Sequence, residues 1–476
     1  MPDRKETIAL AKQWLEAHKE EMAADLQEFV RIRSVSRSDL ASAGAPFGAE
    51  TVKMLNFALL KCASYGFETK NADGYYGTVT YGDDDNSIGV IAHLDVVPEG
   101  VNWIHPPYDA VREGDYIYGR GSSDNKGAAI AALYVMRMVK ELGLSMNHGL
   151  RLILGLSEET GMQDMEYYNI KEKPCAVTLV PDAAFPVCYA QKGSLTSHAV
   201  IPAGDEIRCF TGGEVDNMVP PLCECVLNKP YDYIKEAFDQ AGFAAPDYEV
   251  ISEEDGVRLI AHGVASHAAS PEHGKSAIHM LSGALVKSGV LSGESLIAMK
   301  AVYFLSQGFY GEHAGIAMED EDTGKTTMVV GIARTRAGEI EVHADCRLSV
   351  KSDLENVKSE MKKAQEGAGF KVTLLDTTNP VFIEKDDPRV VALMDAYRNI
   401  TGDEEKAYTM GGGTYSRCLE NAITFGLSFP GRSNRPEGLP EGHGGAHAPD
   451  EYIHLPSLFE STMVFFESML ALDKIV

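Results

Sequence analysis

The chain has 476 residues, 44% of them hydrophobic, enough to bury a large core and to build two or three domains. Lysine plus arginine number 43 against 70 acidic residues, a net charge of −27, which argues against nucleic acid or an anionic membrane as partner. Eight scattered cysteines include no CxxC pair, so neither a disulfide framework nor a thiolate zinc site is expected, and reduced thiols in a cytoplasmic protein are the default. The N-terminus lacks the apolar core of a signal peptide, and no run of about 18 apolar residues suggests a membrane span.

In chain order, apolar residues at helical spacing (Ile8, Leu15, Met22, Leu26, Phe29) predict an amphipathic helix over 7–30. A second helix is expected from Glu50 to Tyr65, stopped at Gly66. Two short strands should flank the Asp73-Gly74 turn. The stretch SIGVIAHLDVVP, Ser87 to Pro98, reads as a buried strand ending in His93 and Asp95. Spacing by two puts both side chains on one face. A short strand at Tyr116–Tyr118, a buried helix from Asn125 to Leu142, and apolar strands at 150–156 and 176–180 follow. Strands alternating with helices predict a largely parallel sheet with helices on both faces.

After about Phe185 the texture changes. Segments near 194–201, 257–263, 328–332 and 339–348 alternate polar and apolar residues, with helices expected over 231–241, 276–290 and 354–366. Half-exposed strands with helices suggest an antiparallel α+β domain. From about Asp386 the α/β texture returns, with a closing helix over 456–472. The expected organisation is thus a discontinuous α/β domain, 1–185 plus 386–476, carrying an inserted α+β domain, 186–385.

Chemistry-bearing residues gather where the α/β strands end, the edge at which ligands of such sheets bind. His93 with Asp95 could be a metal ligand with the carboxylate that orients it. Asp124, in GRGSSDNKG, is either a helix N-cap or a ligand. Glu158 and Glu159 follow an apolar strand, where adjacent carboxylates are costly without a nearby positive charge; one could ligate a metal while the other serves as general base. Asp182 ends the next apolar strand, and GHGGAHAPDEYI supplies His443 and His447, between which the residues alone do not choose. Carboxylates with imidazoles suit Zn²⁺, Mn²⁺ or Co²⁺, and one shared carboxylate suits a two-metal site.

These motifs (HLDVVP, GRGSSDNKG, SEETG, the Asp after the next strand, and HAPDE) resemble those of the aminoacylase/carboxypeptidase-type cocatalytic metallopeptidases, especially the PepV-type, carnosinase-like dipeptidases, and they run in that family's order from His93 to Glu451. The resemblance implies two divalent ions, Zn²⁺ favoured with Mn²⁺ or Co²⁺ as alternatives. It implies His93 and Asp182 on one ion, Glu159 and His447 on the other, Asp124 bridging, Asp95 orienting His93 and Glu158 as general base. The inserted domain resembles the family's lid; His267, in GVASHAASPEHG, would stabilise the oxyanion. Asn217 and Arg347 match substrate-holding positions, and Gly413, in the Gly-rich loop 411–417, would offer a backbone N–H. The implied activity is hydrolysis of dipeptides, with small peptides as partners and a monomer favoured over a homodimer. The alternative is an N-acyl amino acid hydrolase, such as an aminoacylase or desuccinylase; the long insert favours the dipeptidase.

Overall fold

The strand that carries His93, Ser87–His93, is buried along its whole length in a computed structural model that describes residues 4–432 and 434–476. It lies between two parallel neighbours, Gly149–Gly155 and Val177–Val180, and Ala422–Phe425 extends the parallel set beyond the latter. Buried on both faces, such strands need continuous apolar sequence, which explains runs like RLILGL and AVTLV. The hairpin Glu68–Ala72 with Tyr76–Tyr81 closes one edge antiparallel, turning at Asp73-Gly74.

Helices cover both faces. Tyr76 and Gly77 point to opposite sides. The Tyr76 ring packs edge-on against Tyr168 of helix Gln163–Lys171, centroids 5.1 Å apart. A Cβ at Gly77 would lie 2.7 Å from a terminal methyl of Leu55 of helix Ala49–Ser64, so a larger residue there would push that side chain aside. The helix after Asp124, Lys126–Glu141, is buried along nearly all its length, which its alanines and long apolar runs require. The closing helix, Leu455–Leu472, is the one helix among the described residues long and apolar enough to cross a membrane; 72% of it is buried in the folded chain, as a core helix is.

The chain divides into two units. The first comprises Met1–Tyr189, Ile383–Tyr408 and Thr414–Val476 and holds the parallel sheet; the second comprises Ala190–Phe382 and Thr409–Gly413. The Gly-rich loop is therefore split between them, Gly411 to Gly413 going with the second unit and Thr414 onward with the first.

The second unit is built on an eight-stranded antiparallel sheet, in spatial order Tyr248–Glu253, Gly256–His262, Leu222–Leu227, Ile207–Gly212, Thr327–Arg336, Glu339–Leu348, Gly193–Pro202 and Lys371–Thr378. Residues of four helices, among them Ile234, Leu281, Val302 and Met361, share one core with the alternating residues Leu195, Ala199, Val342, Ala344 and Cys346. The intervening positions, Glu341, His343, Asp345 and Arg347, form a row on the other face.

Candidate metal centre

Parallel strands in register finish at one sheet edge. His93 pairs with Gly155, and Val90 with Leu179, so the segments that follow Gly155 and Val180 emerge beside His93. Those segments bear Glu158, Glu159 and Asp182. Two sets of ligand atoms result, each lying within 4.8 Å of one another: His93 with Asp124 and Glu159, and His93 with Glu158 and Asp182.

Asp124 stands between two imidazoles. Its Oδ1 is 3.0 Å from Nε2 of His93, and its Oδ2 is 3.2 Å from Nε2 of His447. Asp182 approaches His93 Nε2 at 3.9 Å, and Glu159 Oε1 lies 3.0 Å from His447 Nε2. His443 is elsewhere: its Nδ1 donates to Asp450 Oδ2 at 2.6 Å. Geometry thus separates the two histidines that the sequence left equivalent.

The role of Asp95 is more specific than orienting His93 through its carboxylate. Nδ1–H of His93 donates to the backbone carbonyl of Asp95 at 2.9 Å, and the carboxylate is farther, at 3.5 Å. A carbonyl can only accept, so this bond fixes the tautomer and leaves Nε2 for a ligand. The Asp95 carboxylate instead accepts the backbone N–H groups of Glu158, at 3.3 Å, and Glu159, at 3.1 Å. One residue therefore sets both the histidine and the acid pair.

The electrostatics call for a cation. Burial and the Asp182 charge hold the Glu158 carboxyl well above the ordinary carboxylate range. Burial pushes Asp182 up to about 7, against the pull of His93. For Asp124 burial acts upward, but the bonds to His447 and His93 outweigh it and hold the carboxyl low. The same bonds, to Asp124 and Glu159, raise His447 to about 10. Burial opposes charge on His93, yet its bonds to Asp124 and Asp95 win and raise it well above its ordinary value. Protons here do what divalent cations would do better: they neutralise crowded, desolvated carboxylates. Oxygen and imidazole donors without thiolates fit Zn²⁺, Mn²⁺ or Co²⁺.

Several supporting residues were given no role by the sequence, although two of them lie within its motifs. Glu451, fully buried, accepts from the backbone N–H groups of Gly121, Ser123 and Asp124 and from Arg120, and so fixes the Asp124 loop. Asn125 donates to the Pro181 carbonyl at 2.8 Å and to Asp182 at 3.2 Å, tying two ligand loops together. Buried Asp164 accepts from the N–H groups of Leu156 and Ser157 and from the Tyr415 hydroxyl, shaping the turn before Glu158. Each of these acids sits in a loop or on a polar helix rather than after an apolar strand, so the strand-end rule passes over them. His447 itself has φ +63°, a strained backbone for a residue with a side chain, held in place by the Arg120 bond to its carbonyl.

The remaining candidates lie in the second unit. His267 pairs with Met218 across a two-residue ladder, and its Nδ1 accepts from the Ala269 N–H at 3.1 Å. The proton of the neutral ring is therefore on Nε2. Burial and the Arg347 charge lower its pKa, which favours that neutral form. Arg347 forks onto Asp345, at 2.7 and 3.0 Å, and its remaining Nη1 reaches the Gly411 carbonyl at 3.4 Å. The Asn217 carbonyl accepts from Ala268 N–H.

Residues 89–471 match the family model described as peptidase family M20/M25/M40. The chain is 31% identical over 472 residues to "Putative dipeptidase YtjP" of Bacillus subtilis (strain 168), spanning 96% of this chain and 98% of that protein. In fold it is similar to human carnosine dipeptidase 1 (16% identity, TM-score 0.56, 98% of this chain and 100% of that one). It is also similar to the di-peptidase Dug1p of Saccharomyces cerevisiae (12% identity, TM-score 0.58, 98% of both chains). A family match running from the His93 strand to the closing helix takes in every ligand-bearing loop described above, and the chain belongs to peptidase family M20/M25/M40.

Proposed function

We propose that the chain is a metal-dependent dipeptidase, its first unit catalytic and its second a lid. One observation carries the reading: Asp124 presents one oxygen to His93 and the other to His447, the spread of a carboxylate shared by two ions. Asp182 would complete the ion at His93, and Glu159 the ion at His447. Zn²⁺ is the favoured metal, with Mn²⁺ and Co²⁺ acceptable to the same donors. When bound, such ions polarise the scissile carbonyl and make water acidic near neutral pH.

The protein's own groups do the rest. Glu158 takes the proton of the attacking water on its carboxylate and returns it to the leaving amine. Asp95 keeps His93 Nε2 bare and holds the Glu158–Glu159 turn. His267, with its proton on Nε2, donates to the developing oxyanion. Arg347, Asn217 and the Gly413 backbone hold the peptide. Small peptides are the substrates, and a cytoplasmic monomer follows from the thiol content and the large lid. The dipeptidase names of the relatives support peptides over N-acyl amino acids, the alternative substrate class.

The test is a substrate panel of Ala-Ala, β-Ala-His and N-acetyl amino acids, run after chelation and again after adding Zn²⁺ or Mn²⁺. Dipeptides are cleaved, activity disappears with the metal and returns with it. Cleavage of the acylated compounds alone would transfer the chain to the other class. His447→Gln weakens metal binding by more than the about 10–100-fold typical of losing an outer partner, whereas His443→Gln, which loses only a bond to Asp450, leaves it near the wild-type level. In a metal titration, a larger loss in His443→Gln would reverse the assignment of the two histidines, and equal losses would remove it.

A further inference from the structure

A second set of ligand atoms lies in the other unit, on the sheet face opposite the helices. His198 and His343 are direct partners on adjacent antiparallel strands. Their rings stack at 3.7 Å, 11° from parallel. Asp216 reaches both: its Oδ1 accepts from His343 Nδ1 at 2.8 Å, and its Oδ2 is 3.9 Å from His198 Nε2. Ligand atoms of all three lie within 4.8 Å of one another. Glu341 Oε1 adds a further oxygen 3.4 Å from His343 Nε2.

Two independent features mark this as a built site. His343 is only 7% exposed, and the Nε2 atom of His198, the one it turns toward Asp216, is buried without a hydrogen-bond partner, an expensive condition for a polar atom. The loop bearing Asp216 is also seated on the sheet through glycine. A Cβ at Gly331 would lie 2.1 Å from the Asp216 carbonyl, and one at Gly213 would lie 1.8 Å from the Gly331 carbonyl.

We propose that His198, Asp216 and His343 form a zinc site separate from the catalytic centre. Two imidazoles and a carboxylate make a donor set Zn²⁺ accepts, with His198 offering Nε2, His343 offering Nδ1 and water taking the fourth place; Glu341, at Nε2 on the far edge of the His343 ring, would fix that ring's tautomer. The ion would join the two strands to the loop 213–217. Asn217 follows directly, its carbonyl bonded to Ala268 N–H, and Met218 pairs with His267. On the reading of Asn217 and His267 given above, the ion fixes the loop that carries the one and the ladder that holds the other.

Demetallated wild-type protein titrated with Zn²⁺ and weighed by native mass spectrometry takes up one ion per chain more than either His198→Gln or His343→Gln. That difference does not depend on how many ions the His93–His447 centre holds, nor on which substrates are cleaved, so it survives failure of the dipeptidase reading. Equal uptake by wild type and both variants overturns the proposal. Zinc-loaded wild-type crystals provide a check that needs no variant: an anomalous peak between His198 and Asp216 supports the site, and its absence there refutes it.

Discussion

Glutamine at position 158 lowers kcat by about 10²–10⁴-fold, the usual worth of a positioned acid–base group, while bound metal stays at the wild-type level. The substitution keeps the size and shape of the side chain but removes its negative charge and its ability to take a proton. Glu158 has the environment such a base needs. Burial and the neighbouring Asp182 charge raise its carboxyl, bringing its proton affinity toward working pH, where general bases are most effective. Its backbone is pinned by the Asp95 carboxylate, so the side chain is aimed by a fixed turn. Glu159, next in sequence and pinned by the same carboxylate, bonds His447. Glu159→Gln should therefore lose metal, where Glu158→Gln does not. The sign with pH follows: a raised pKa fills the base form only as pH rises, so wild-type kcat climbs through that value and the Glu158→Gln profile loses this limb. Kinetics beside metal analysis decide it. Near-normal kcat in Glu158→Gln, or loss of an ion from it, would remove Glu158 from the role of base.

The parts of this molecule legible in its sequence are those under a strong, local physical demand. The buried parallel strands need unbroken apolar runs, and both 87–93 and 149–155 stand within a residue or two of their expected positions at the strand ends that matter. The edge strands Tyr248–Glu253 and Lys371–Thr378 were not legible, because strands without a single buried residue carry little apolar signal. Helix Gln163–Lys171 escaped for a similar reason: only three of its residues are buried. At the metal centre the side chains that end apolar strands stood out, since a carboxylate there demands explanation. Glu451 and Asn125 did not, because their partners are backbone groups and loops brought near only by folding. His198 and His343 were invisible for the same reason: each is an ordinary residue on an alternating strand until the register sets one opposite the other.

Glu451→Ala destabilises the first unit by about 3–5 kcal/mol, the cost of breaking a buried ion pair from one side, and it also abolishes activity. Both consequences follow from where the carboxylate sits. It is fully buried beside Arg120, itself 1% exposed, at 2.9 Å. Without Glu451 that guanidinium is left charged and unpaired, although the His447 carbonyl at 3.2 Å and the Trp103 ring face at 5.2 Å remain as partial partners. The loss of activity comes through the other oxygen, which accepts from the backbone N–H groups of Ser123 and Asp124 and from the Ser123 hydroxyl. Those bonds set the Asp124 carboxylate between the two histidines. The two effects separate in a double variant. Arg120→Met in the Glu451→Ala background removes the orphaned charge and should recover much of the stability, since replacing both partners of a buried pair is often nearly neutral. It does not restore the anionic acceptor for the Asp124 loop, so metal affinity and kcat stay low. Urea unfolding of the metal-free proteins measures the first quantity and metal titration the second. If the double variant regains both, Glu451 acts only as a counter-charge for Arg120; if Glu451→Ala loses less than about 1 kcal/mol, the buried pair is not the interaction that holds this loop.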